Sequence, residues 1–200
     1  LNPHSISELA NKGVEVILTV DCGISDCEAV ARAKELGLTV IISDHHLPPE
    51  KLPAADAICN PALPGSPFPC LAGVGVAFFL MAEVHKRLSP HTGCKQDIRD
   101  VLDFVALGTL ADMVPLLDQN RILAKNGMLL LNEARRPGIA ALKAVAGYAP
   151  SADLGAGQIS FSLAPRLNAA GRLSMADDAL HLLLSTSAYE ANNLAEKLDN

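Results

Sequence analysis

Two short β-branched runs each end in residues that could do chemistry. Residues 14–20 (Val-Glu-Val-Ile-Leu-Thr-Val) lead into Asp21-Cys22-Gly23, and residues 38–42 lead into Ser43-Asp44-His45-His46. A carboxylate and imidazole set suits a divalent cation such as Mn²⁺ or Mg²⁺, whereas thiolates would point to zinc. In a parallel α/β sheet, ligands bind at the carboxyl ends of the strands. Neighbouring strands lie roughly 4.8 Å apart, so Asp21 and His45 could reach a common ion. The competing reading has Asp21 capping a helix and the His pair decorating a turn, since a three-residue motif also arises by chance. A zinc site on Cys22 and Cys27 is disfavoured. Four intervening residues exceed the usual knuckle spacing, and Cys27 falls in an expected helix as a core position.

Two later segments add candidates. Asp112 ends the apolar stretch Val105-Ala106-Leu107-Gly108-Thr109-Leu110-Ala111. A carboxylate there opposes the helix macrodipole, which points toward a ligand role; the competing reading is a solvated last-turn carboxylate. Pro165-Arg166-Leu167-Asn168-Ala169-Ala170-Gly171-Arg172 sets two arginines and an asparagine among small residues. Arginine forks onto phosphate oxygens; the alternative is an ordinary helix end with solvated arginines. His4, His85, His91 and His181 are incidental.

The elements that must position these groups follow from periodicity. The two runs read as buried strands, with a helix between them that starts at a Ser25-x-x-Glu28 capping box and stops at Gly37. About a dozen residues of crossover imply parallel strands and right-handed winding. Residues 47–71 hold seven of the thirteen prolines around a short strand at 57–59, a length of loop that is commonly functional. Helices are expected over 73–88, 97–111, 121–134 and 139–146. Two more should begin at Ser174-x-x-Asp177 and Ser187-x-x-Glu190. The expected class is α/β, a parallel-sheet domain over 1–118 followed by a mostly helical region over 119–200.

Composition sets the outer bounds. Of 200 residues 50% are hydrophobic and 19% charged, enough apolar material for a substantial core and too much for wholesale disorder. Aromatics are 4% and the net charge is −6, so no broad stacking platform or bulk basic face for nucleic acid is present. No apolar run approaches the roughly 20 residues that span a bilayer. Five cysteines without a C-x-x-C pair read as reduced thiols of a cytoplasmic protein. The chain begins without Met and ends at Asp199-Asn200 directly after a helical segment, and it reads as part of a longer polypeptide.

Five blocks in order resemble the DHH phosphoesterase family, and within it the RecJ-type single-stranded-DNA exonucleases. They are Thr19-Val20-Asp21-Cys22-Gly23-Ile24-Ser25, Ser43-Asp44-His45-His46-Leu47-Pro48, Leu71-Ala72-Gly73-Val74-Gly75-Val76-Ala77-Phe78, the stretch from Val105 through Asp112 to Leu116, and Pro165-Arg166-Leu167-Asn168-Ala169-Ala170-Gly171-Arg172-Leu173. The resemblance implies two Mn²⁺ or Mg²⁺ ions held by Asp21, His45 and Asp112. His46 would lie close to phosphate or metal, and Asp44 would orient the ligands behind them. Arg166, Asn168 and Arg172 would lie near the substrate backbone. The implied reaction is phosphodiester hydrolysis by metal-activated water, running 5′ to 3′ on single strands in repair and recombination, with other repair proteins as further partners. The family's first acidic motif would precede residue 1, and its DHHA1 and OB-type domains would follow residue 200, so the chain alone is expected to be inactive. Two alternatives stand beside this. One is a phosphodiesterase of short oligonucleotides or cyclic dinucleotides, against which the Arg166–Arg172 block argues. The other is a non-catalytic replication scaffold, which would usually have lost the ligands retained here.

Overall fold

The computed structural model describes residues 1–170 and 176–199. The chain divides into two compact units, Leu1–Gln96 with Asp118–Asn120, and Asp97–Leu117 with Arg121–Asn200.

The first unit is built on three parallel strands, β1 (Val16–Val20), β2 (Thr39–Ser43) and β3 (Ala57–Cys59), in the order β1-β2-β3. Register pairs Val20 with Ser43 and Ser43 with Cys59, so the three strands end level. Helix α1 (Pro3–Asn11) precedes them. Asn2 caps it by accepting the Ser5 N–H at 2.8 Å, and Pro3 occupies its first turn. Helix α2 (Cys27–Glu35) makes the β1–β2 crossover. Ile6 of α1, Ala29, Val30 and Ala33 of α2, and Ile17, Val40 and Ile42 of the strands form one buried cluster. This burial at every second strand position fixes which residues face the helices.

The expected capping box at Ser25 does not form. The helix starts two residues later at Cys27, with Asp26 at the cap position and no side-chain capping bond. The Ile24 N–H is already taken by the Asp44 carboxylate and the Asp26 N–H by the Gly23 carbonyl, so residues 23–26 make a turn instead of a helical start. Helix α3 (Gly73–Thr92) runs past the expected stop at 88, with Pro90 inside its last turn, and ends at Gly93 with φ 69°.

The second unit is helical. A 3₁₀ turn (Ile98–Val101) leads into α4 (Leu102–Ala111), followed by α5 (Asp118–Glu133), α6 (Pro137–Val145), α7 (Ala156–Gln158), α8 (Ala164–Ala170), α9 (Ala176–Leu184) and α10 (Ala188–Asp199). A π turn over Ile159–Leu163 joins α7 to α8. Its core holds Leu107, Leu110, Leu131, Ile139, Leu142, Ile159, Leu163 and Leu182. Residues 97–117 belong to this unit, where Leu107 and Leu110 of α4 find their apolar neighbours. Ser187 does cap α10, accepting the Glu190 N–H at 3.3 Å. The Ser174 start lies outside the described residues. Among the described residues no helix is long and apolar enough to cross a membrane.

Candidate metal centre

Level strand ends place Asp21 and Asp44 side by side at the carboxyl edge of the sheet, as the next residues after the Val20–Ser43 pair. The Asp21 N–H extends the ladder by donating to the Ser43 carbonyl at 2.8 Å. Asp21 then turns into the left-handed region, with φ 62°. A non-glycine residue there is uncommon, and Asp is among the types that tolerate it. The turn carries the carboxylate toward β2, where Asp21 Oδ1 lies 3.1 Å from His45 Nε2.

Asp44 is 1% exposed and fastens both strand ends. Its Oδ2 accepts the Ile24 N–H at 2.9 Å, and its Oδ1 accepts the His45 and His46 N–H groups at 2.7 and 3.2 Å. The same Oδ1 lies 2.7 Å from His46 Nδ1. Burial, the largest single influence, pushes the Asp44 carboxyl upward. The opposing bonds from Ile24, the His46 ring and the two histidine amides outweigh it and hold the group below the usual carboxylate range. An ionised Asp44 accepts a hydrogen bond from His46 Nδ1–H and leaves the Nε2 lone pair to face outward, as in carboxylate–histidine–metal arrangements. The two imidazoles meet edge to face with centroids 4.6 Å apart. The Asn60 side-chain amide donates to the His46 carbonyl at 2.9 Å.

Asp21, His45 and His46 each offer a ligand atom, and all three atoms lie within 4.8 Å of one another. An ion bound at about 2.0–2.2 Å needs donors roughly 3–4.4 Å apart, so small side-chain rotations complete a shared shell. One carboxylate with two imidazoles fits Mn²⁺, and fits Mg²⁺ less well because Mg²⁺ favours oxygen throughout. With neutral imidazoles the three groups carry a single negative charge, which balances one divalent ion only in part.

Helix α3 begins against this cluster. A Cβ built on Gly73 would stand 2.2 Å from Asp21 Oδ1 and 3.2 Å from His45 Cδ2, so glycine lets the helix start here without displacing the carboxylate. Asn120, 3% exposed, fixes that start: its Oδ1 accepts the Ala72 N–H at 3.1 Å and its Nδ2 donates to the Cys70 carbonyl at 2.7 Å. Sequence reading passed over Gly73, Asn60 and Asn120 as functional residues. Asn120 stands between Gln119 and Arg121, and no local pattern marks it out; its role comes from bonds to residues 48 and 50 positions earlier in the chain.

The thiols do not join in. Burial pushes the Cys22 thiol up; the nearby N-terminal ammonium opposes this, and Asp44, Asp26 and Asp21 add to it, so the thiolate is disfavoured. Cys27, expected in the core, is only half-buried, with Sγ 3.5 Å from the Lys51 carbonyl.

Asp112 sits in the second unit as the exposed C-cap of α4, its N–H bonded to the Gly108 carbonyl. Arg166 is committed within that unit. Its guanidinium donates to Asp199 at 2.6 Å, to the Ser162 carbonyl at 2.5 Å and to the Val145 carbonyl at 3.5 Å. A substrate contact would have to compete with these bonds. Asn168 is exposed on α8, and Arg172 lies outside the described residues.

A parallel sheet with an Asp-His-His segment at the level ends of its strands, capped by a glycine-started helix, defines a class. The model of the DHH family, N-terminal domain, matches residues 2–109, and the chain belongs to that family. Its relatives narrow the comparison. The chain is 44% identical over 208 residues to the single-stranded-DNA-specific exonuclease RecJ of Escherichia coli, covering 100% of this chain and 36% of that protein. It is 47% identical over 206 residues to RecJ of Haemophilus influenzae, covering 97% and 35%. A crystal structure of RecJ from Thermus thermophilus in complex with Mn²⁺ superposes with a TM-score of 0.84 at 34% identity, over 98% of this chain and 29% of that one. The chain thus spans about a third of the length of the curated relatives it matches.

Proposed function

We propose that this chain carries the metal-binding end of a RecJ-type single-stranded-DNA exonuclease, acting 5′ to 3′ in the cytoplasm. The observation that carries the reading is the convergence of Asp21, His45 and His46 at the ends of adjacent parallel strands, in a chain 44% identical to a RecJ. Asp21 and His45 hold the ion directly, His46 holds it or the phosphate through Nε2, and Asp44 keeps the His46 ring in the required tautomer. Bound there, Mn²⁺ or Mg²⁺ supplies a lowered water pKa and neutralises charge developing on the phosphodiester. Gly73 leaves the carboxylate room to meet His45. Asp112 enters as a further carboxylate through the family resemblance, and Asn168 and Arg172 as contacts to the strand backbone. Arg166 has a stronger claim as a structural residue of the helical unit.

The test is a chimera in which this chain replaces the matching segment of the Escherichia coli RecJ. The expected result is Mn²⁺-dependent release of nucleotides from a 5′-labelled single-stranded oligonucleotide, lost in His45→Ala and in Asp112→Ala without loss of fold. A folded chimera that hydrolyses at an undiminished rate with His45→Ala would overturn the metal assignment.

A further inference from the structure

We propose that Thr19 is a positioning residue that holds the Asp21 carboxylate against His45. The inference rests on the metal role argued above for Asp21 and His45, and it identifies what keeps that pair in place. Thr19 is the penultimate residue of β1, 4% exposed, and touches no ligand atom itself. Its hydroxyl donates to the Cys22 carbonyl at 2.7 Å, across the turn that carries Asp21.

That turn has unusual backbone. Asp21 has φ 62° and Gly23 φ 109°, two left-handed residues within three positions. Conformations of this kind persist only when the surroundings over-determine them. Three bonds do so here. The Asp21 N–H is held by the Ser43 carbonyl, the Ile24 N–H by the Asp44 carboxylate, and the Cys22 carbonyl by Thr19. The first two fasten the turn to β2 at its ends. The third closes the turn from within: it ties the Cys22 carbonyl back to Thr19 across Asp21, so that Asp21 lies inside a hydrogen-bonded loop over residues 19–22. The Thr19 side chain also fills the space beside Gly23. A Cβ there would stand 2.8 Å from Thr19 Oγ1 and 3.3 Å from Thr19 Cγ2, so hydroxyl and methyl together brace the turn from beneath. Valine would keep the shape and lose the bond, leaving a carbonyl facing a methyl group. Serine would keep the bond and lose the methyl.

The Asp21 carboxylate is more than half exposed and meets His45 Nε2 at 3.1 Å. The direction from which it does so is set by the backbone of the turn that Thr19 braces. Residues that orient metal ligands from behind typically change metal affinity by about 10–100-fold when removed. That range is expected for Thr19→Val.

The experiment measures Mn²⁺ affinity of the chain by calorimetry for the wild type, Thr19→Val, Thr19→Ser and Asp21→Asn, together with thermal melts and crystal structures of the metal-free variants. Thr19→Val should weaken Mn²⁺ about tenfold or more with a nearly unchanged melting temperature. Thr19→Ser should bind within about threefold of wild type. In the metal-free Thr19→Val crystal structure the Asp21–His45 contact should be broken. Wild-type affinity in Thr19→Val, alongside lost binding in Asp21→Asn, would overturn the proposal. If the wild-type chain binds no Mn²⁺, the metal reading of the chain alone fails, and the crystal structure of Thr19→Val decides this proposal by itself. An Asp21–His45 contact retained near 3.1 Å would overturn it, and a broken one would sustain it.

Discussion

Replacing Gly73 by alanine separates the metal site from the fold more cleanly than removing a ligand does. The added Cβ would stand 2.2 Å from Asp21 Oδ1 and 2.8 Å from Asp21 Cγ, roughly 1 Å inside van der Waals contact. Something must yield, and the Asp21 side chain, 58% exposed, is the part with solvent to move into. Helix α3 gains a better helix former at its first position, so fold stability should change by no more than about 1 kcal/mol. The carboxylate, displaced by about 1 Å, can no longer share an ion with His45 at ligand distances that tolerate only about 0.2 Å. Mn²⁺ affinity should fall by about 10–100-fold. Calorimetric titration with Mn²⁺ and a thermal melt of the same sample provide both readings. Unchanged affinity would refute the crowding argument. A melting temperature lowered by more than about 10 °C would refute the claim that the side chain, rather than the helix, moves.

Two further expectations concern the helical unit. Arg136 donates to the Asp103 carboxylate at 2.7 Å and stacks on Phe104 at 4.4 Å, and Asp103 is only 5% exposed; Arg136→Met should cost about 2–4 kcal/mol in urea unfolding, and a change below 0.5 kcal/mol would contradict the pairing. Lys143, fully buried, donates to the carbonyls of Asn132, Pro150 and Ala152 at 3.3, 2.6 and 2.8 Å. Burial pushes its ammonium below the usual 10.5, with Asp153 opposing. The folded state therefore releases this proton at lower pH than the unfolded state, which binds more protons between the lowered value and 10.5, so stability rises with pH in that window. Relative to Lys143→Met, the wild type should gain stability as the pH rises toward 10.5, and parallel pH profiles for the two would sink this account.

Local pattern made the β1–α2–β2 unit legible, because β-branched runs and Gly37 encode it within one stretch of chain. Adjacency of Asp21 and His45 followed from parallel strands alone. Helix α1 was missed although Asn2 and Pro3 carry a capping signal, since nine residues with one buried side chain offer little periodicity. The Ser25 box failed because the Gly23 carbonyl took the Asp26 amide and closed a turn over residues 23–26, which puts the helix start at Cys27. Helix α3 outran its expected end because Pro90 is tolerated in the last turn. Arg166 shows the same limit: its residue type suggested phosphate, but its partner Asp199 is 33 residues away and no local pattern reveals it. Gly73 was legible as part of a motif, and its purpose only as a distance.

Asp44 has a consequence for how the site breathes. A single carboxylate accepts the amides of Ile24, His45 and His46, so none of these three protons can exchange with solvent while it stays in place. The turn after β1 and the turn after β2 are thereby one opening unit, although 20 residues separate them in the chain. Displacing the Asp44 side chain would release the Asp21 turn and the histidine turn together, so the two halves of the donor set are coupled through one residue.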